Sequence, residues 1–427
     1  MVQRLLVWLA ASLLASAAGS PASAQAPDPA LQGRAEQLVA LINGEAEIET
    51  MFSADFLAQV PAPQVRAVGE ALRTQYGPAR ALARIDATSP TTATVLIDAE
   101  RATIRLNLAI QPQAPHLIQG LLVAGAEVRG DSLAAIASEI AALPGETAFA
   151  VVRLGDGAGE RLVGHRAEET LAIGSTFKLW ILAEISRQVS AGERRWTDVV
   201  TLDRRSLPSG QLQDWPPGSP VTIHTLAALM ISISDNTATD ILHGLAGRGN
   251  VERIMSTIGV AEAARNRPFL STLEAFSLKA ASDAAYAAWR AADEEERRRL
   301  LAADYEATNP AGLAPGRFGT APNRIEVEWF ASAADLVRTM DWLRRNGDET
   351  TLAILAISSG LPPPLAAELA YVGYKGGSEP GVLNLTWLVR NRSGQWHVVT
   401  GSWNDPASAL AEGRFAELMR RAVQLVR

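Results

Sequence analysis

Three short groups of residues carry side chains that could do chemistry. The first is Ile173-Gly174-Ser175-Thr176-Phe177-Lys178-Leu179-Trp180. Helical periodicity begins at Thr176, so Ser175 falls at or near a helix N-terminus, and Lys178, three residues on, shares its face. A serine hydroxyl is a weak nucleophile until a base takes its proton. A lysine amine can be that base when burial and nearby charge keep part of it neutral. The helix start adds unpaired N–H groups and positive potential that favour a developing oxyanion. The second group, Ser232-Ile233-Ser234-Asp235-Asn236-Thr237-Ala238, reads as a helix–loop–helix junction. There Ser234 can pass a proton, Asp235 can brace the turn and Asn236 can hydrogen-bond a substrate amide. The third, Tyr374-Lys375-Gly376-Gly377-Ser378, is placed just before a strand hairpin. Its glycines let a substrate approach an edge-strand backbone, and Lys375 supplies a cation. Singly, each group is also an ordinary cap or turn.

The basic residues sharpen the choice. Of 39 Lys and Arg, only Lys178, Lys279 and Lys375 are lysine. Arginine keeps its proton in a protein, whereas a desolvated lysine can lose it, so the lysine positions suit chemistry that a guanidinium cannot do. The chain has no cysteine, which excludes disulfides, a thiol nucleophile and thiolate metal sites. The five histidines, His116, His165, His224, His243 and His397, show no metal-ligand spacing and read as surface or cap residues. No metal or other cofactor is expected. The net charge of −7, without a basic cluster, argues against a nucleic-acid partner.

In this order, S-x-x-K, S-D-N and a K-G-G variant of K-T-G, the three groups are similar to the signature of class A β-lactamases and serine penicillin-binding proteins. Gly164-His165-Arg166-Ala167 and Leu229-Met230-Ile231-Ser232 reinforce the likeness, which spans residues 129–427. The resemblance implies that Ser175 is acylated, with Lys178 as its base. It implies that Ser234 carries a proton to the leaving group and that Asn236, Lys375, Gly377 and Ser378 bind substrate. The N–H groups of Ser175 and Ser378 would form the oxyanion hole. The substrate would be a small β-lactam, peptide or ester. Two departures stand out. The side-chain hydroxyl expected at Gly376 is missing, with Ser378 a candidate to replace it. The deacylating Glu of the class A enzymes is matched only by Glu274, which has Leu278, not Asn, four residues on. A D-Ala-D-Ala carboxypeptidase or an esterase is the second reading, and a β-lactam sensor with little turnover the third.

These residues need a frame. The resemblance implies an α/β-α fold for residues 129–427: an antiparallel sheet flanked by helices, plus an all-helical subdomain. The sequence supports strands at Thr147–Leu154, Glu160–Gly164, Val382–Arg390 and Gln395–Trp403, and an amphipathic closing helix over Ala407–Val426. Asp131 is expected to cap a helix running to Leu143, Asp283–Tyr305 reads as a solvated charged helix, and Asn309–Arg324 as loop. Residues 34–128 read as a small α+β domain. It has helices over Ala35–Ile48 and Pro63–Thr74, strands over Ala81–Ala87, Thr92–Ala99 and Thr103–Ile110, and a fourth over Leu117–Val123. Thr94, Leu96 and Asp98 alternate with Val95, Ile97 and Ala99, which gives the sheet one solvated face. Two helices and a meander suggest a cone-like sheet. The two-domain layout resembles the β-lactamase-like proteins of clavulanic acid gene clusters, whose first domain is steroid-isomerase-like. Arg4, the apolar run Leu5–Leu14 and Ala22-Ser23-Ala24 read as a signal peptide over 1–24, followed by a flexible leader over 25–33. An exported protein, periplasmic or secreted, is therefore expected, with no stable membrane span after cleavage.

Overall fold

The computed structural model describes residues 28–206, 208–304 and 324–427. The expected signal peptide and most of the expected loop 309–324 lie outside these residues. The chain forms two compact units: the residues up to Asp131 together with Pro362–Leu365, and Ser132–Leu361 together with Ala366–Arg427.

The first unit holds α1 (Pro29–Asn43), α2 (Ile48–Met51), α3 (Ala54–Gln59) and α4 (Ala62–Tyr76). A four-stranded antiparallel sheet follows, in the order β1 (Ala79–Ser89), β2 (Thr92–Ala99), β3 (Ala102–Ile110), β4 (Ile118–Val128). Residues 29–33, expected as leader, are the first turns of α1. Asp28 accepts from Ala30 N (2.8 Å) and Pro29 opens the helix, so the Asp-Pro pair is a cap and a first-turn proline rather than coil. Gly44, left-handed at φ 78°, ends α1 at Asn43, and Ile48 starts a separate short helix. Along β2, Val95, Ile97 and Ala99 are buried while Thr94, Leu96 and Asp98 are half-buried. β4 runs past the expected end at Val123 as far as Val128, because a bulge at Ala124 lets it stay paired with β3.

The second unit opens with α5 (Leu133–Ala141), capped by Ser132 rather than Asp131: Ala135 N donates to Ser132 Oγ (3.1 Å). Next come β5 (Glu146–Leu154), β6 (Glu160–His165), β7 (Leu171–Ala172), α6 (Lys178–Ser190), β8 (Val199–Thr201) and β9 (Pro220–Thr222). The helical part follows with α7 (Ile223–Ser232), α8 (Asn236–Ala246), α9 (Arg248–Ile258), α10 (Thr272–Ala280), α11 (Asp283–Ala291) and α12 (Glu294–Asp304). The chain closes with β10 (Phe330–Ala331), α13 (Ala333–Asn346), α14 (Glu349–Leu355), α15 (Pro363–Ala366), β11 (Tyr371–Glu379), β12 (Val382–Arg390), β13 (Trp396–Asn404) and α16 (Glu412–Gln424).

The main sheet runs β11-β12-β13-β5-β6, all antiparallel, so strands from both ends of the unit share it. Helices α5 and α16 pack together on one face and α13 covers the other. Behind α13 lies the helical layer, with α6 at its centre: Leu179, Trp180, Ile181, Leu182 and Ile185 are all fully buried. The expected charged helix breaks into α11 and α12. Tyr374–Ser378, expected ahead of the hairpin, sits inside edge strand β11, paired residue by residue with β12. Glycines weaken a strand but do not stop one at a sheet edge. His243 and His397 are buried, against expectation. His243 lies beside Phe269 in the core, and burial lowers its imidazole to about 4, so it is neutral. Among the described residues no helix is long and apolar enough to cross a membrane, and no acidic, histidine or cysteine cluster suits a metal.

Candidate active site

The turn that carries Ser175 is fixed from both sides. Asn404 on β13 clamps β7, accepting from Ala172 N (2.8 Å) and donating to Ala172 O (2.9 Å). Ile173 N donates to Trp329 O (2.9 Å), and Gly174 takes φ 50° to start the 3-10 turn Gly174–Phe177 that runs into α6. Thr176 Oγ1 donates to Asn384 Oδ1 on β12 (2.8 Å), and the Phe177 ring stacks on Trp329 at 3.6 Å between centroids. From Leu171 to Ser186 every residue except Ser175 is buried. The local structure thus hides its neighbours and leaves one hydroxyl accessible.

Lys178 is fully buried at the start of α6. Its Nζ donates to Ser234 O (2.8 Å) and to Asn236 Oδ1 (2.7 Å), and lies 2.9 Å from Ser234 Oγ. The first two partners can only accept, and together they use both N–H bonds of a neutral amine. The lone pair then faces the Ser234 hydroxyl, which can donate to it. Loss of solvent, and next the charge of Lys375, hold Lys178 well below the ordinary lysine value. Among the described residues no hydrogen bond joins Lys178 to Ser175. The amine that the S-x-x-K spacing aims at Ser175 is held by the S-D-N turn.

That turn is strained and braced. Ser234 adopts φ 59°, a left-handed conformation unusual for a residue with a Cβ and often found at functional sites. Buried Asp235 accepts from Ala238 N (2.8 Å), capping α8, and from Gln211 N (2.6 Å) and Leu212 N (2.9 Å). A Cβ on Gly210 would lie 2.8 Å from Asp235 Cα, so only glycine lets this loop close on the carboxylate. Asn236 N donates to Ser209 O (2.9 Å), which keeps its side chain turned in toward Lys178.

Edge strand β11 completes the site. Lys375 Nζ donates to Ser234 Oγ (3.2 Å) and to Gly376 O, and burial lowers it to about 7. A continuous line thus runs from Lys375 through the Ser234 hydroxyl to Lys178. Gly377 packs on the Ser175 turn: a Cβ there would sit 2.5 Å from Ser175 N and closer still to Ile173 O. Across the same gap, a Cβ on Gly174 would sit 3.2 Å from Ser378 N. The amides of Ser175 and Ser378 therefore flank one narrow cleft, and the Ser378 side chain is exposed beside it.

Glu274 does not join this cluster as a base. It closes a capping box on α10, with Ser271 N donating to its Oε2 (2.7 Å), and Arg248 Nη2 donates to its Oε1 (2.6 Å). Burial pushes the carboxyl up, but the hydrogen bond and charge of Arg248 outweigh it and hold the group below its ordinary value. Both oxygens are committed to holding the helix start, and Leu278 is buried. Lys279 is buried too, paired with Glu328 and Glu379. Sequence reasoning also missed Trp329, Asn384 and Asn404. The two asparagines carried a signal, since each is the single side-chain amide of its strand.

A helix-flanked antiparallel sheet thus stands beside a half-buried serine and a buried lysine at the start of one helix. Residues 131–396, more than half of the chain, match the family described as the β-lactamase enzyme family, and the chain belongs to it. Among solved structures, it is similar to a β-lactamase from Sphaerobacter thermophilus at 22% identity (TM-score 0.48, 68% of this chain and 95% of that one). It is also similar to PBP-A at 19% identity (TM-score 0.47, 69% and 93%). A β-lactamase from Chitinophaga pinensis matches at 16% identity (TM-score 0.46, 69% and 95%). No curated protein matches the chain.

Proposed function

We propose that this protein is a serine hydrolase that forms an acyl-enzyme through Ser175 on β-lactam or related amide and ester substrates. The observation that carries this is Lys178: fully buried, depressed in pKa, its two N–H bonds met by obligate acceptors, one turn from the single accessible hydroxyl of its segment. In this reading Ser175 Oγ attacks the carbonyl while Lys178 takes its proton, as the Ser234 hydroxyl turns from Nζ toward the leaving nitrogen or oxygen. Ser234 then delivers its proton to the leaving group and takes back, through the 2.9 Å contact, the proton that Lys178 removed from Ser175, so that Lys178 is neutral again and Lys375 keeps its charge. The oxyanion lies between the amides of Ser175 and Ser378. Asn236 and Lys375 hold the substrate's amide and anionic group. Catalytic hydrogen bonds often form only in the substrate complex, so this sequence of steps is compatible with Lys178 bonding to Ser234 and Asn236 before substrate binds.

One observation favours slow release over rapid turnover. With Glu274 bound to Arg248 and Ser271, the acyl-enzyme has no carboxylate there to activate water. The second reading is accordingly a carboxypeptidase, or a β-lactam-binding protein with a long-lived adduct. Intact-mass measurement over time after adding a penicillin separates the cases. A transient adduct marks a hydrolase and a persistent one a target or sensor; equal labelling of Ser175→Ala would sink the assignment. The stretch Arg4–Ala24 supports export to the periplasm or medium. The helices and four-stranded sheet of the first unit support a cone-like, steroid-isomerase-type fold.

A further inference from the structure

Lys279, on α10, has no part in the proton transfers of acylation, yet it is buried between two glutamates. Its ammonium pairs with Glu328 and with Glu379, whose side chains are fully buried and largely buried. The two carboxylates come from opposite walls of the Ser175 cleft. Glu328 precedes Trp329, whose carbonyl receives Ile173 N (2.9 Å) and whose ring stacks on Phe177. It therefore belongs to the segment that holds the Ser175 turn. Glu379 ends β11, on the strand face it shares with Gly377, the residue that meets Gly174 and Ser175. Lys279 thus bridges the two walls. Its own helix end is fixed, since Arg324 Nη1 donates to Lys279 O (3.2 Å) and Ala281 O (2.7 Å).

Two carboxylates on one lysine leave a proton to place. Burial, and next the charge of Glu379, push Glu328 up to about 8 against the attraction of Lys279, so it is protonated at neutral pH. Glu328 Oε2 is buried and accepts no hydrogen bond; as a hydroxyl it can donate to Glu379, which is within reach. The cluster is then neutral: one ammonium, one carboxylate and one carboxylic acid. Loss of the proton leaves a buried, uncompensated negative charge next to Ser378, whose amide faces the oxyanion, and two carboxylates that repel across the cleft. The hollow beside Glu328 also holds Arg265, Arg267, Arg297 and Glu326. The arginines keep their protons, and Glu326, despite partial burial, is held below its ordinary value by the Tyr286 hydroxyl. On the cleft side, the charge of Glu379 acts on Lys178.

We propose that Lys279, Glu328 and Glu379 form a buried clamp that sets the separation of the Ser378 amide from the Ser175 turn, and that the proton between the two glutamates keeps it closed. All three are positioning residues. The proposal rests on the acyl-enzyme reading of Ser175.

The test uses the full chain and a neutral probe, the methyl ester of a chromogenic cephalosporin, so that Lys375 has no substrate anion to bind. Acylation rate constants and dissociation constants are measured by stopped flow from about pH 6 to 9.5, with urea unfolding alongside. In the parent the rate constant should fall roughly tenfold as pH rises through about 8, because a charge is added close to the oxyanion. Glu328→Gln keeps an acceptor for Lys279 and a donor for Glu379 but cannot ionise, so the fall should vanish while the titrations of Lys178 and Lys375 remain. Lys279→Met should lower the rate constant roughly 10- to 100-fold at neutral pH by displacing an oxyanion donor. Its dissociation constant should change less than about threefold. A parent without the fall, or a Glu328→Gln enzyme that retains it, overturns the proposal, as does a folded Lys279→Met enzyme that acylates like the parent. If Lys279→Met does not fold, the Glu328→Gln comparison decides alone, since a cluster that only stabilises the fold would leave the pH profile unmoved. If Ser175→Ala is acylated as fast as the parent, the acyl-enzyme reading fails instead.

Discussion

Gly377→Ala is the substitution whose consequence the structure fixes most tightly. The added Cβ would meet Ser175 N at 2.5 Å and Gly174 C at 2.8 Å, with Ile173 O nearer still. All three are backbone atoms, so no side chain can swing aside. Ordinary contact begins near 3.4 Å, so β11 and the nucleophile's turn must part by about 1 Å. The turn cannot yield easily, because Asn404, Trp329 and Asn384 hold it. Two effects follow. Forcing a methyl into a packed contact costs about 1–3 kcal/mol of stability. Moving the Ser378 amide off the oxyanion weakens one donor, and losing such a donor slows the chemical step by about 10²–10³-fold. Acylation by a chromogenic β-lactam or ester, followed by stopped flow beside a denaturation curve, measures both. A Gly377→Ala enzyme that acylates within about threefold of the parent would refute the cleft as drawn between residues 174–175 and 377–378.

Three further outcomes are expected. Glu274→Gln should leave the decay of the acyl-enzyme unchanged but lower unfolding free energy by about 1–3 kcal/mol, because it breaks a largely buried pair with Arg248; mass-resolved decay rates and urea unfolding check the two halves. Thr176→Val should cost about 1 kcal/mol by removing the donor to Asn384, and slow acylation by loosening the Ser175 turn, both absent if the anchor is incidental. The third concerns pH. Lys375 is lowered to about 7, so its charge is lost as pH rises through that value, and KM for a free-acid substrate should climb above pH 7 while that of a neutral ester does not. The same shift has a stability sign. Between about 7 and the ordinary 10.5 the unfolded chain binds more protons at this lysine, so its contribution to stability grows with pH. Lys375→Met should flatten that part of the pH–stability curve.

The sequence disclosed the parts of the site that depend on local spacing. S-x-x-K places Ser175 and Lys178 on one helical face, and S-D-N places a cap at a helix start. What spacing could not show is which partner each group selects in three dimensions. Lys178 bonds to residues 56 and 58 positions away rather than to its helical neighbour. Glu274 lies at a plausible distance from Ser234 in sequence, yet Ser271-Thr272-Leu273-Glu274 is also a capping-box pattern, and that local bond, with Arg248, prevailed. The K-G-G spacing puts the segment ahead of the hairpin beside an edge strand, but β12 offers it a full ladder of partners and the segment is itself that edge strand. Asp28-Pro29 shows the reverse error, where residues common in coil were a cap and a first-turn proline. The buried ion cluster of Lys279 with Glu328 and Glu379 joins groups 49 and 100 residues apart, beyond any local pattern.

The central claim, an uncharged amine at Lys178, can be observed directly because the chain has only three lysines. Labelling lysine Cε with carbon-13 gives three signals, assigned with Lys178→Arg, Lys279→Arg and Lys375→Arg variants. The Lys178 signal is predicted to change from that of an ammonium to that of a neutral amine well below 10.5, whereas Lys279, raised by its two glutamates, stays charged. A Lys178 signal that remains that of an ammonium up to pH 10 would contradict the account.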